Sequence, residues 1–116
     1  PAERGTAYTP LDYKTKGFAP KDDAHKWNQH QMDIYSFLLE ANGYKSSDHS
    51  YLIFYHPMEA REGGVIQFGI TPRKVATDKN AALRLFEKAV EVIRAQEPAM
   101  REGCEYCLME KTADAV

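Results

Sequence analysis

The sequence predicts an α/β fold, and three observations carry that reading. Short runs of β-branched and aromatic residues alternate with longer stretches of helical periodicity. Glycine, proline and asparagine punctuate the boundaries between them. The order that results is strand, helix, strand, strand, helix, followed by a cysteine-bearing tail. At 116 residues the chain suffices for one compact core, so a single domain over residues 1–116 is expected. Its 43% hydrophobic and 28% charged residues are ordinary globular values, which excludes a disordered or fibrous class.

The first strand is read from Tyr8 to Lys16, where partial alternation puts Leu11 and Tyr13 on one face and Asp12 and Lys14 on the other. Gly17, Pro20 and the pair Asp22-Asp23 then make a turn, and either aspartate can cap a helix starting near Ala24. Trp27, Ile34, Tyr35, Leu38 and Ala41 recur at helical spacing, and Asn42-Gly43 supplies the stop. From Asp48 to His56 an apolar, aromatic run ended by Pro57 suits a buried strand. Met58 to Gly64 reads as a polar connection to a further strand, Val65 to Thr71, which pairs with it antiparallel. Thr77-Asp78 caps a second long helix, whose stripe of Ala82, Leu85, Phe86, Ala89, Val90 and Ile93 is expected to be core before Pro98 stops it. Three strands under two helices leave sheet edges open, so something is expected to pair with the first strand, and self-association through an edge is plausible.

No apolar run approaches the ~20 residues of a membrane-spanning helix, so no membrane role is expected. No basic stretch followed by an apolar run opens the sequence, and the expected location is cytoplasmic.

The residues with chemical potential begin with Asp12 and Lys14, a carboxylate and an ammonium on one face of a rigid strand. A carboxylate can hold a hard cation such as Mg²⁺, and a lysine can stabilise charge developing on a phosphate. The bland reading of the same pair is an exposed salt bridge worth under ~1 kcal/mol. Gln31 and Tyr35 follow on the predicted helix, one turn apart and therefore on one face. Their bland reading is a polar rim on a packed helix. Trp27 and His30, on the neighbouring turn, are read as packing or solvent contacts, with the lining of a groove as the alternative.

Together, Leu11-Asp12-Tyr13-Lys14-Thr15 and Gln31-Met32-Asp33-Ile34-Tyr35 resemble the (D/E)xK and downstream QxxxY motifs of the PD-(D/E)XK nuclease superfamily. The order of elements and the late CxxC are similar to its RecB-like branch, which includes CRISPR-associated and phage recombination exonucleases. The resemblance runs from about Thr6 to Cys107. It implies a restriction-endonuclease-like core, a central mixed sheet flanked by helices, and exonuclease-like, Mg²⁺- or Mn²⁺-dependent hydrolysis of DNA. By the same resemblance Asp12 and the backbone carbonyl of Tyr13 would bind the metal, Lys14 would be the catalytic lysine, and Gln31 and Tyr35 would contact DNA or brace Lys14. A net charge of -2 lacks the basic excess of most nucleic-acid binders, which counts mildly against this reading.

The family also places an acidic ligand on the strand before the (D/E)xK strand. Glu3 is the single acidic residue ahead of Asp12, and it falls where the turn between those strands would be. The expectation is therefore a C-terminal portion of the core whose other ligands lie upstream, or a remnant that has lost activity.

Cys104-Glu105-Tyr106-Cys107 has no further cysteine on either side, and two ligands cannot hold a cubane cluster, so an iron–sulfur centre is not expected in this chain. The pair could still hold Zn²⁺ with a histidine or a partner chain, or be inert. A thioredoxin-like role is disfavoured, because that motif follows a strand at a helix start whereas this one follows a helix and Pro98. His25 and His30 diverge on the helix surface, so they do not form a metal pair.

The preferred reading is a metal-dependent DNA nuclease. Its main rival is an inactive module on the nuclease fold that binds DNA or a protein. A third reading, a small α/β interaction domain with an accidental motif match, predicts Asp12 and Lys14 scattered in solvent and no groove between them and Gln31.

Overall fold

The computed structural model describes residues 6–97 and 99–114. They belong to two compact units, Pro1–Leu85 and Phe86–Val116. The first unit contains β1 (Leu11–Thr15), α1 (Gln29–Ala41), β2 (His49–Ala60), β3 (Ile66–Ala76) and the start of α2 (Lys79–Arg94). The second holds the remainder of α2 and a helix that the sequence reading left as tail, α3 (Glu105–Asp114). Among the described residues no helix is long and apolar enough to cross a membrane.

The three strands form one sheet in the order β1-β2-β3, with β1 parallel to β2 and β2 antiparallel to β3. This is the expected mixed sheet flanked by helices. Parallel neighbours require a crossover, and α1 supplies it. The antiparallel neighbours are joined by a short 3₁₀ turn at Glu62–Gly64.

Register decides which side chains share a face. Asp12, Leu52 and Arg73 lie in one row across the sheet, and Lys14, Phe54 and Thr71 lie in the next. Leu52 and Phe54 are completely buried and join Ala24, Met32 and Val75 in the core, with Tyr35 packed against it. The polar pair on β1 therefore projects on the same side as the core, beside α1. The other face of the sheet carries Leu11, Tyr13 and Ile70, all exposed, Tyr13 by 72%. Edges are open as expected: among the described residues β1 has a partner on its β2 side only, where a parallel bridge between Tyr8 and Ser46 continues the same pairing.

Several boundaries differ from the sequence reading: β1 is shorter than Tyr8–Lys16, β3 runs past Thr71 to Ala76, and two further differences have clear causes. Neither Asp22 nor Asp23 caps α1, because the chain first makes a 3₁₀ turn, Ala24–Asn28, and the side chain of Asp23 makes no capping bond. Asp22 instead lies 3.6 Å from Arg73 on β3. The stop at the other end is as expected, with Gly43 in the left-handed region at φ 83°.

Pro57 does not end β2, which runs on to Ala60. The N–H of Tyr51 bonds toward β1, to the carbonyl of Pro10, so alternate residues along β2 point their nitrogens the same way. Lys16 makes the last bond to that side, at Tyr55, so the nitrogen of Pro57 falls just where β1 has ended. The missing donor breaks no pairing there, and a bulge between Pro57 and Glu59 absorbs the irregularity.

The start of α2 is tied to α1 by carboxylates. Asp78 accepts from the N–H of Asn80 at 2.9 Å, as the expected cap. Buried Asp33 accepts from the N–H of Asp78 and from the Gln29 amide, each at 2.9 Å. Glu40 pairs with Lys79 at 3.1 Å.

Beyond this anchor the apolar stripe of α2 is not core, contrary to the periodicity argument. Ala82 is buried, but Leu85 and Phe86 are exposed and Ile93 is 82% exposed. Periodicity shows that a helix has an apolar face; burial also needs a surface to receive it, and past its first turns α2 belongs to the second unit.

Acid should loosen this junction first. Bonds from the Ser46 N–H and the Lys79 side chain hold the carboxyl of Glu40 below its ordinary 4.5. His49 lowers that of Asp48, and the N–H of Ala81 with Arg84 lowers that of Asp78, both from 3.8. Depressed carboxylates stabilise the fold above their ordinary values, and the contribution is lost as pH falls through the lower folded ones. Amide exchange at Asn80 and Ala81 should therefore quicken below about pH 4 relative to amides of β2 such as Tyr51. Equal acceleration at both places would show that the junction is not the acid-sensitive point.

Candidate functional site

Strand alternation places Asp12 and Lys14 on one face of β1, and helical spacing places Gln31 and Tyr35 on the face of α1 that meets them. The structure joins all four. Lys14 Nζ donates to Gln31 Oε1 at 2.7 Å and lies 2.8 Å from Asp12 Oδ2. Gln31 Nε2 in turn donates to the hydroxyl of Tyr35 at 2.6 Å. The ammonium is thus held between a carboxylate on its own strand and an amide on the crossover helix, and that amide is oriented by the tyrosine. Asp12 and Lys14 are thus joined to each other and to the crossover helix, not scattered in solvent as the interaction-domain reading expects.

The carboxylate has spare capacity. Asp12 Oδ2 is a buried oxygen whose ion-pair partner is the Lys14 ammonium at 2.8 Å, and a carboxylate paired with one cation keeps lone pairs that can accept further.

The backbone adds a second oxygen nearby in sequence. In the parallel ladder the Pro10 carbonyl and the Lys16 N–H both face β2, so the even-numbered residues of β1 bond inward. Tyr13 therefore turns its N–H and C=O to the open edge. Both atoms that the resemblance assigns to a cation are acceptors without a partner from β2. Among the described residues no group of three or more His, Cys, Asp or Glu side chains is arranged to hold a metal. Glu3 lies outside the described residues.

A family model matches residues 2–112, that of the PD-(D/E)XK nuclease superfamily. The chain belongs to this superfamily. The match spans both compact units. No curated protein and no solved structure matches the chain.

Within this PD-(D/E)XK domain, one basic residue near the site went unremarked in the sequence. Lys16 continues the period-two row of Asp12 and Lys14, and its ammonium sits 5.9 Å from the centre of the Phe54 ring, on the core side of the sheet. Extending the alternation by one more step was the signal that could have found it. Trp27 is 88% exposed and His30 is exposed, so neither packs in the core. A cavity of about 360 Å³ beside Tyr35, between Pro10, Leu11, Leu38, Leu39 and Tyr44, is lined mainly by apolar groups and by no carboxylate, lysine or histidine.

The cysteine pair is separate from these residues in sequence and lies in the second unit. Cys104 immediately precedes α3, and its carbonyl accepts the N–H of Leu108 at 3.1 Å, which makes it the capping residue of that helix. The pair does follow a helix, as expected, but it also opens another.

Proposed function

We propose that this domain is a metal-dependent deoxyribonuclease of the RecB-like, exonuclease-like kind, in which Asp12 binds the cation and Lys14 stabilises the transition state. The observation that carries the reading is the chain of contacts from Asp12 through Lys14 and Gln31 to Tyr35. A lysine fixed at both sides is preorganised to meet negative charge as it develops on a phosphoryl oxygen, which is where electrostatic catalysis gains most. Gln31 positions Lys14, and Tyr35 positions Gln31.

The carboxylate of Asp12 and the outward carbonyl of Tyr13 suit a hard, oxygen-seeking cation, Mg²⁺ or Mn²⁺. When bound, such an ion polarises the scissile phosphate and lowers the pKa of an attacking water. Two protein oxygens are few for the purpose, and we place a further acidic ligand outside residues 6–114, on a strand paired to the open edge of β1. That edge is equally where a second copy of the chain would pair.

The shortage of acidic ligands among the described residues favours one alternative, an inactive nuclease-fold module that binds DNA or a protein partner. Cleavage of linear and circular DNA with Mg²⁺ or Mn²⁺, by this chain and by the longest natural reading frame containing it, separates the two. The expected result is cleavage by the longer protein, faster on linear DNA and abolished by EDTA. Inactivity of both proteins under these conditions would establish the binding module instead.

A further inference from the structure

We propose that Cys104 and Cys107 are a redox-active dithiol that undergoes thiol–disulfide exchange, with Cys104 as the attacking thiolate and Cys107 as the resolving thiol.

The geometry at the start of α3 supports this division of labour. Both residues are thiols, partly accessible, and set one helical turn apart. Positions three apart in a helix have Cα atoms about 5 Å from each other, inside the 4.4–6.8 Å that a disulfide spans. Cys104 occupies the capping position of a 10-residue helix, where unbonded backbone N–H groups gather and favour negative charge. The N–H and the side chain of Cys107, with the N–H of Tyr106, donate to its sulfur and hold that thiol below the ordinary cysteine range. Cys104 also lines a cavity of about 320 Å³ between Arg101 and Tyr106, whereas Cys107 does not. That cavity gives an incoming disulfide a route to Cys104.

Two sulfurs complete a disulfide without any further ligand. The co-reactant is an organic disulfide, R–S–S–R. The Cys104 thiolate attacks one of its sulfurs, forming Cys104–S–S–R and releasing one thiolate, RS⁻. Cys107 then gives up its proton and attacks the Cys104 sulfur, forming Cys104–S–S–Cys107 and releasing the second RS⁻. The protein loses two electrons and the disulfide gains them.

The test equilibrates the whole chain in glutathione buffers of graded oxidised-to-reduced ratio, quenches in acid, and determines the thiol state by intact mass. The expected course is one transition from dithiol to internal disulfide without accumulation of a glutathione adduct. Cys107→Ser should stop at the adduct on Cys104. Iodoacetamide at pH 7 should modify Cys104 in Cys107→Ser at least about threefold faster than Cys107 in Cys104→Ser, since each tenfold gain in thiolate is partly offset by lower nucleophilicity. Three results would each overturn the proposal: a wild-type pair that stays dithiol throughout the series, faster alkylation of Cys107, or one Zn²⁺ per chain that protects both thiols in the purified protein.

Discussion

Replacing Lys14 by alanine should lower DNA cleavage about 10²–10³-fold or more, the scale of losing one preorganised group that stabilises transition-state charge. The assay belongs in the longest reading frame that contains the chain. Lys14 is partly exposed, so its removal should leave the fold intact. The Gln31 carbonyl oxygen loses its ammonium donor but can turn to water, at a cost of about 1 kcal/mol. Asp12→Ala should be as damaging to cleavage for a different reason. On the proposed mechanism it removes the carboxylate that binds the cation, so Mn²⁺ affinity measured by calorimetry falls in Asp12→Ala and is retained in Lys14→Ala. Lys14→Arg should rescue poorly, because a planar guanidinium cannot occupy the compact position between Asp12 and Gln31. Cleavage that survives both alanine substitutions would falsify the assignment of the two residues.

Phe54→Ala should destabilise the first unit by about 3–5 kcal/mol, the usual range for emptying a large, fully enclosed aromatic site. Against a total of about 5–15 kcal/mol for a typical domain, that is a severe loss. The urea midpoint should fall with little change in slope, since the surface exposed on unfolding is nearly the same. Phe54 is also the register partner of Lys14 and lies near the Lys16 ammonium, so the cavity opens directly beside the site. Its effect on cleavage should therefore exceed what the unfolded fraction explains, because small displacements of a positioned group are costly. A midpoint shift below about 1 kcal/mol would mean that the core repacks around the gap.

The site was more legible in the sequence than its surroundings were. Asp12, Lys14, Gln31 and Tyr35 sit on regular elements, and period two on β1 with one helical turn on α1 fixes which faces they share. The parallel pairing of β1 with β2 follows once a helix lies between them, and the antiparallel pairing of β2 with β3 follows from the short connection. What escaped depended on long-range geometry. Asp22 and Asp23 have the chemistry of caps, but a 3₁₀ turn moved the helix start beyond their reach. The stripe of α2 was read correctly as a face and wrongly as core, since whether a face is buried depends on what lies opposite. Pro57 looked terminal because the vacancy of β1 alongside it is not a local property. The helix after Cys104 was hidden by shortness, as ten residues of mixed polarity carry little periodic signal.

The position of Pro57 has a consequence for how this protein behaves in a crowded solution. A strand edge that continues beyond its neighbour offers a row of free donors and acceptors on which foreign chains can nucleate a growing ladder. On β2 that exposed row begins at the residue that has no N–H to offer, and the bulge immediately after it twists the edge away from a flat template. A stray strand seeking to elongate the sheet along β2 meets a gap at its first step. The projecting part of the long hairpin is thus a poorer template for amyloid-like stacking than a flat, fully donor-bearing edge of the same length.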